Sequence, residues 1–275
     1  MARLDKIHPV ISGNKLYKLH YFLKEAMALE HKTLLSFGGA YSNHLVATAF
    51  ACSQYGLKSI GMVRGERPAV LSPSLQDCEG YGMQLHFMSR QDYRNTLNEN
   101  FISALHNTYG EFVLVPEGGY SPIGAKGASL IMDAIEKMDA SHICVDVGTA
   151  TTLAGLLLRA KPEQKIIAVT VLKNMNDIAE RLYQLTGKKD FPNLQLLDQY
   201  HFGGYAKKTA GLLRFMNGFY EQTGIPTDFV YTGKLMYAIT DRLKNGFFEE
   251  DSRIVCLHTG GLQGNRSLKK GELIY

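Results

Sequence analysis

Thr33-Leu34-Leu35-Ser36-Phe37-Gly38-Gly39-Ala40-Tyr41-Ser42-Asn43-His44 holds a strand, a tight turn and a helix start within twelve residues. Its first five residues read as a short buried strand, the glycine pair ends it, and the polar Ser-Asn-His segment opens a helix with Leu45, Ala49 and Cys52 inward. A strand passing through a tight turn into a helix is the repeating unit of a parallel sheet. The pattern recurs on the C-terminal side. Spacing predicts strands over 59–63, 84–88, 112–115, 142–147, 165–172, 194–197 and 253–257. Between them it predicts helices over 75–81, 93–109 and 123–138, one from 153, one over 177–186, one ending near 223 and one opening at 231. Such alternation gives an α/β protein with mostly parallel sheets and helices on both faces. Pro116-Glu117-Gly118-Gly119-Tyr120-Ser121-Pro122 breaks the rhythm and marks a crossing between domains.

On the N-terminal side lies Ser12-Gly13-Asn14-Lys15-Leu16-Tyr17-Lys18-Leu19, followed by Phe22, Leu23, Ala26 and Met27 at helical spacing. Lys15 falls in the first turn of this helix. There the free backbone N–H groups and the positive dipole end lower an ammonium's pKa and attract phosphate, so Lys15 is a candidate reactive amine. The plainer alternative is a Gly-Asn cap followed by solvated lysines. Ligands of open α/β sheets bind beyond the C-terminal strand ends, where the glycine-rich and polar loops of this chain fall. Gly148-Thr149-Ala150-Thr151-Thr152 offers N–H groups and three hydroxyls at a helix mouth, a cup for one phosphate, although it matches neither the Walker loop nor GxGxxG. Ser42 is a candidate nucleophile or proton carrier and Asn43 a candidate amide donor; either also serves as a helix cap. A serine hydrolase lacks its GxSxG elbow.

The 275 residues are 45% hydrophobic and 20% charged, and the net charge of +4 is spread without a long basic run. Nucleic acid and membrane partners therefore have no compositional support. Cys52, Cys78, Cys144 and Cys256 show no CxxC or Cys/His ligand spacing, so they read as reduced core residues and no metal site is expected. The opening MARLDKIHPV has no apolar run long enough for a signal peptide, which points to a cytoplasmic protein.

Gly13-Asn14-Lys15, Gly39-Ala40-Tyr41-Ser42-Asn43-His44, the threonine cup before Leu153-Ala154-Gly155, Tyr205, Tyr231-Thr232-Gly233-Lys234 and His258-Thr259-Gly260-Gly261 occur in that order. Together they resemble the pyridoxal-phosphate enzymes of the 1-aminocyclopropane-1-carboxylate deaminase and D-cysteine desulfhydrase family, over nearly the whole chain. The resemblance implies the fold of the tryptophan-synthase β-subunit group (fold type II): two domains, each a mostly parallel twisted sheet flanked by helices. Its small domain is expected over 16–120, inserted into a large cofactor-binding domain over 1–15 and 121–275. It further implies that Lys15 bonds covalently to pyridoxal 5'-phosphate and moves the substrate α-proton, and that Lys18, Thr149, Ala150, Thr151 and Thr152 hold the phosphate. Asn43 would bond the ring hydroxyl, Ser42 would lie over the substrate, and Tyr205 and Tyr231 would face it. The implied partner is a small amino acid, and the implied assembly a homodimer.

Within the resembling family, deaminases place a glutamate directly after the second tyrosine, where this chain has Thr232, whereas the desulfhydrase branch uses a threonine in an HTGG turn, here Thr259. A hydroxyl partner is expected to leave the ring nitrogen largely neutral, which suits β-elimination of a thiolate. The expected activity is thus elimination from D-cysteine to pyruvate, ammonia and sulfide, with opening of the cyclopropane substrate second. The chain departs from the family in having Tyr17 where GNKxRKL carries arginine, and in having fourteen residues before the lysine. The second departure means either a truncated start or a large sheet lacking an edge, and the two departures together motivate a binding protein of reduced or lost turnover as a competing reading. A nucleotide-binding Rossmann protein ranks last, because GxGxxG is absent.

Overall fold

The computed structural model describes residues 1–28, 32–96 and 98–275. Its first half runs α1 (Asn14–Ala28), β1 (Thr33–Gly38), α2 (Asn43–Gln54), β2 (Lys58–Arg64), α3 (Pro73–Gly80), β3 (Gln84–Met88), α4 (Glu99–Tyr109) and β4 (Val113–Val115). The second half runs α5 (Pro122–Ser129), α6 (Ile131–Ile135), β5 (His142–Val147), α7 (Thr151–Arg159), β6 (Lys165–Thr170), α8 (Ile178–Thr186), β7 (Leu194–Leu197), α9 (Ala210–Thr223), α10 (Thr232–Lys244) and β8 (Ile254–Cys256). Two four-stranded sheets result, ordered β3-β2-β1-β4 and β7-β6-β5-β8, with every pairing parallel. The expected α/β class with a parallel sheet in each half is what the structure has.

Parallel strands covered on both faces must be apolar throughout, and β1 obeys. Leu34 packs with Leu19, Phe22 and Ala51 on one side, while Leu35 and Phe37 meet Tyr93 and Leu105 on the other. Leu19, Leu34 and Leu45 are fully buried, so truncating any of them to alanine costs roughly 2–5 kcal/mol. In the second sheet Ile143, Val145 and Val147 of β5 face the cluster under α7, and Cys144 faces the other side with Leu235 and Ile239 of α10. Helix α1 touches both cores, because Phe22 lies in the first and Tyr17 packs against the second. Close approach makes this possible: a Cβ on Gly127 of α5 would stand 2.3 Å from the Tyr17 carbonyl oxygen.

Two helices differ from expectation. The helix foreseen over 93–109 is a 3-10 turn, Asp92–Asn95, and then α4, whose N-cap Asn98 accepts from Asn100 N at 2.9 Å; Leu97 lies outside the described residues. The helix foreseen over 123–138 is broken into α5, α6 and a 3-10 turn, Glu136–Met138. Bonds of the i→i−3 type at Leu130 N and Asp133 N tighten the chain there, and the Ser129 hydroxyl returns to the Lys126 carbonyl at 2.8 Å. Beside β8, Ala2 forms an isolated parallel bridge with Leu257. Among the described residues no helix is long and apolar enough to cross a membrane.

Candidate active site

Three strand-to-helix turns and the start of α1 converge at the C-terminal ends of the two sheets. A serine caps α2, α3 and α5: the hydroxyls of Ser42, Ser72 and Ser121 accept from Leu45, Leu75 and Gly124 N–H. Helix α7 has no such cap. Its N-cap is Ala150, held left-handed at φ 68°, and among the described residues no side chain caps its first N–H groups. The free N–H groups of that turn border a cavity of about 50 Å3 lined by Lys15, Lys18, Thr149, Thr152, Asp146 and Thr259, among others.

Asn14 ties the lysine to this cup. Lys15 Nζ donates to Asn14 Oδ1 at 2.6 Å, and Asn14 Nδ2 donates to Thr152 Oγ1 at 2.9 Å, so one buried amide fixes both groups. The turn before it is equally constrained. Gly13 has φ +69°, and a Cβ there would lie 1.9 Å from the Thr259 carbonyl oxygen, which also accepts Asn14 N–H at 3.1 Å. Burial pushes the Lys15 amine below its ordinary pKa against the pull of Asp146 and Asp228. Lys18, 4% exposed and donating to Gly118 O at 3.2 Å, is pushed well down by burial and by the Lys15 charge. Among the described residues neither ammonium forms an ion pair with a carboxylate. Two desolvated cations beside an uncapped helix N-terminus fit an anionic phosphate. The buried Oδ1 of Asn43 has no partner, although its Nδ2 donates to Gly261 O at 3.3 Å; that oxygen fits a hydroxyl donor.

A wider cavity of about 330 Å3 adjoins the first and shares Lys15, Gly118, Gly148, Thr149 and Tyr231 with it. Ser42, Asn43, His44 and Tyr205 also line it. The Tyr205 and Tyr231 rings meet edge to face with centroids 6.2 Å apart, and Lys15 Nζ stands 5.9 Å from the Tyr231 ring centre. Burial raises both phenols above their ordinary pKa, so both hydroxyls keep their protons at neutral pH. The structure thus brings together Lys15, Lys18, Ser42, Asn43, Thr149, Ala150, Thr152, Tyr205, Tyr231 and Thr259. Thr151 is the exception: its fully buried side chain faces Gly124 of α5, and its hydroxyl lies 2.9 Å from that of Thr149.

Four residues that frame the site escaped sequence reading. Asp146 accepts the Thr259 hydroxyl at 2.6 Å. Asp228, fully buried, accepts N–H bonds from Val230, Tyr231 and Thr232 at 2.9 Å each and the Thr232 hydroxyl at 2.7 Å, which shapes the turn that aims Tyr231. Thr232 is thereby committed to Asp228 and is not among the residues lining either cavity. Lys234, also fully buried, donates to the carbonyls of Val171, His201 and Gly204 at 3.4, 2.9 and 2.7 Å and so pins the loop that carries Tyr205. Burial brings its amine down to about 8, which leaves it charged at neutral pH. Lys234→Met strips three carbonyls of their donor; faster hydrogen exchange over 201–206 and a loss of about 2–4 kcal/mol in urea unfolding are expected. Unchanged exchange in that loop would remove its role as a clamp.

His44 is the fourth. It is 3% exposed, and among the described residues neither ring nitrogen has a hydrogen-bond partner. Burial first, then the charges of Lys15 and Lys18, lower it to about 3, with the nearby Pro116 carbonyl opposing weakly. The sign of the linkage follows. Below its ordinary 6.5 the unfolded imidazole takes a proton that the folded one refuses until about 3, so stability drains away across that interval as pH falls. Relative to His44→Gln, the wild type is expected to lose on the order of a few kcal/mol between those limits. Parallel pH profiles for the two proteins would contradict this.

A crevice with two desolvated lysines, an uncapped helix mouth and facing tyrosines defines an enzyme that works with a phosphate-bearing cofactor. Residues 1–260 match the family model described as pyridoxal-phosphate dependent enzyme, and the chain belongs to that family. A bifunctional D-cysteine desulfhydrase/1-aminocyclopropane-1-carboxylate deaminase of Arabidopsis thaliana is 26% identical over 92% of this chain and 70% of its own length. The D-cysteine desulfhydrase of Salmonella typhi is 26% identical over 94% and 85%. Among solved structures, an ACC deaminase homologue superposes with TM-score 0.79 at 27% identity, over 95% of this chain and 84% of that one. An O-acetylserine dependent cystathionine beta-synthase of Helicobacter pylori, at 14% identity and TM-score 0.69, shares the fold, that of type II pyridoxal-phosphate enzymes. The chain is a pyridoxal-phosphate dependent enzyme, similar to proteins named ACC deaminase and D-cysteine desulfhydrase.

Proposed function

We propose that this enzyme deaminates a small amino acid by removing its α-proton, with D-cysteine as the preferred substrate: cysteine and water give pyruvate, ammonia and hydrogen sulfide. The observation that carries the reading is the Asn14 bridge, which holds the Lys15 amine between the threonine cup and the cavity under Tyr205 and Tyr231. Bound pyridoxal phosphate supplies an electron sink for the α-carbon. The chain does the rest. Lys18 and the open N-terminus of α7 would grip the phosphate, with the hydroxyls of Thr149 and Thr152 and the backbone N–H groups of Ala150 and Thr151. Asn43 Oδ1 would accept from the cofactor's ring hydroxyl. Lys15, with its pKa lowered by burial, takes and returns the α-proton at Nζ. Ser42 orients the substrate carboxylate, and the two tyrosines close over the substrate and keep bulk water from it. The preference for D-cysteine rests on the pattern in which the chain resembles the desulfhydrase branch: Thr232 stands where the deaminases carry a glutamate, and Thr259 of the HTGG turn lines the cavity.

Opening of 1-aminocyclopropane-1-carboxylate is the second reading, since the Arabidopsis relative is named for both reactions. D-cysteine, L-cysteine and the cyclopropane amino acid assayed side by side separate them. Sulfide and pyruvate from D-cysteine are expected; a 2-oxo acid from the cyclopropane substrate alone would replace the first reading with the second. We also propose the domain limits 16–120 and 1–15 with 121–275, and a cytoplasmic homodimer; light scattering tests the dimer.

A further inference from the structure

Asp146 is the acidic side chain that the foregoing chemistry leaves without a task. Strand alternation puts it on the Cys144 face of β5, one residue from the strand's C-terminal end, where the chain leaving β8 passes. It is 5% exposed, Thr259 is 3% exposed, and both line the cavity that holds Lys15. A threonine hydroxyl owns a single proton. Here that proton goes to Asp146 Oδ1 across 2.6 Å, so Thr259 Oγ1 presents only lone pairs to the cavity. A group lying against Thr259 can donate to it and finds no hydrogen to accept.

We infer that Asp146 and Thr259 form a two-step relay that keeps the pyridine nitrogen of the cofactor protonated, the ring N–H donating to Thr259 Oγ1 and the Thr259 O–H donating to Asp146. The relay rests on the reading above, in which pyridoxal phosphate binds here with its ring nitrogen at Thr259. Charge balances, since one carboxylate faces one pyridinium across a shared hydroxyl, and the ring proton comes from water. The charged and polar groups facing Asp146 are Thr259, Asp228, Lys15 and Lys18. Burial raises its carboxyl to about 6, against the Thr259 bond and the two lysines, which still leaves it ionised at neutral pH. Asp146 is thus a positioning residue acting through Thr259. The expectation that a hydroxyl partner leaves the nitrogen neutral gives way to a strong electron sink, which serves ring opening as well as elimination.

The test uses pyridoxal phosphate labelled with 15N at the ring nitrogen, with borohydride reduction and peptide mass on Lys15 confirming attachment in each sample. At neutral pH the wild-type nitrogen is expected at the chemical shift of a protonated pyridine, and Asp146→Asn and Thr259→Val are expected to move it to the unprotonated value. The wild-type spectrum needs no variant to fold. Attachment on Lys15 with an unprotonated wild-type nitrogen, or with a shift that Asp146→Asn leaves unmoved, overturns the relay while the cofactor reading stands. If no mass is found on Lys15, both fall.

Discussion

Lys15→Ala is expected to abolish covalent capture of pyridoxal phosphate and to lower turnover by about 1,000-fold or more, because on the proposed mechanism the variant loses both the amine that would bond the cofactor and the base that would move the α-proton. The protein should still fold. Among the described residues the Lys15 side chain makes one hydrogen bond, to Asn14, and Asn14 keeps its bonds to Thr152 and to the Thr259 carbonyl. Lys18→Ala is the informative control: it removes a phosphate contact and leaves the amine, so weaker cofactor affinity with attachment preserved is expected. Borohydride reduction followed by peptide mass mapping reads both. Attachment that persists in Lys15→Ala would mean that another amine does the chemistry.

Gly13→Ala is the second large effect, and it acts on the fold. A methyl group at this position would overlap the Thr259 carbonyl, whose oxygen and carbon lie 1.9 and 2.2 Å from the ideal Cβ, and both are backbone atoms with little room to yield. The backbone is also left-handed at φ +69°, a region that alanine enters at a cost of roughly 1–2 kcal/mol. Together these predict a loss of more than about 4 kcal/mol, or an insoluble product. Urea unfolding decides: a variant within about 1 kcal/mol of wild type would show that this turn has slack.

Much of the architecture was legible because strands and helices leave periodic traces. Thr33–Gly38 and His142–Val147 are apolar runs ended by glycine turns, and Lys15 was visible because a Gly-Asn pair stands before it. The breaks at Leu130 and Asn98 were not, since they depend on which carbonyl an amide finds and on a cap that spacing alone does not rank. The missed residues share one character. Asp146, Asp228, Lys234 and His44 are buried polar groups whose roles no spacing announces, although His44 and Lys234 lie inside motifs of the sequence. Asp146, Lys234 and His44 meet Thr259, Gly204 and the two lysines only after the chain has folded, and the local Asp228–Thr232 bond depends on how that turn closes. Thr151 shows the converse. A hydroxyl in the right string of letters turned toward a neighbouring helix, because the first turn of α7 points one threonine in each direction.

The amide of Asn14 is satisfied by residue 152 and by the turn at 259, and Asn43 reaches 261. On a ribosome the first of these residues leaves the tunnel long before the last. The nascent polypeptide is therefore expected to hold Lys15 without these partners through most of synthesis, so that on the proposed role of Lys15 vitamin B6 capture is expected only once translation has passed the HTGG turn. Chains arrested ahead of it should emerge cofactor-free, however well their first sheet has formed.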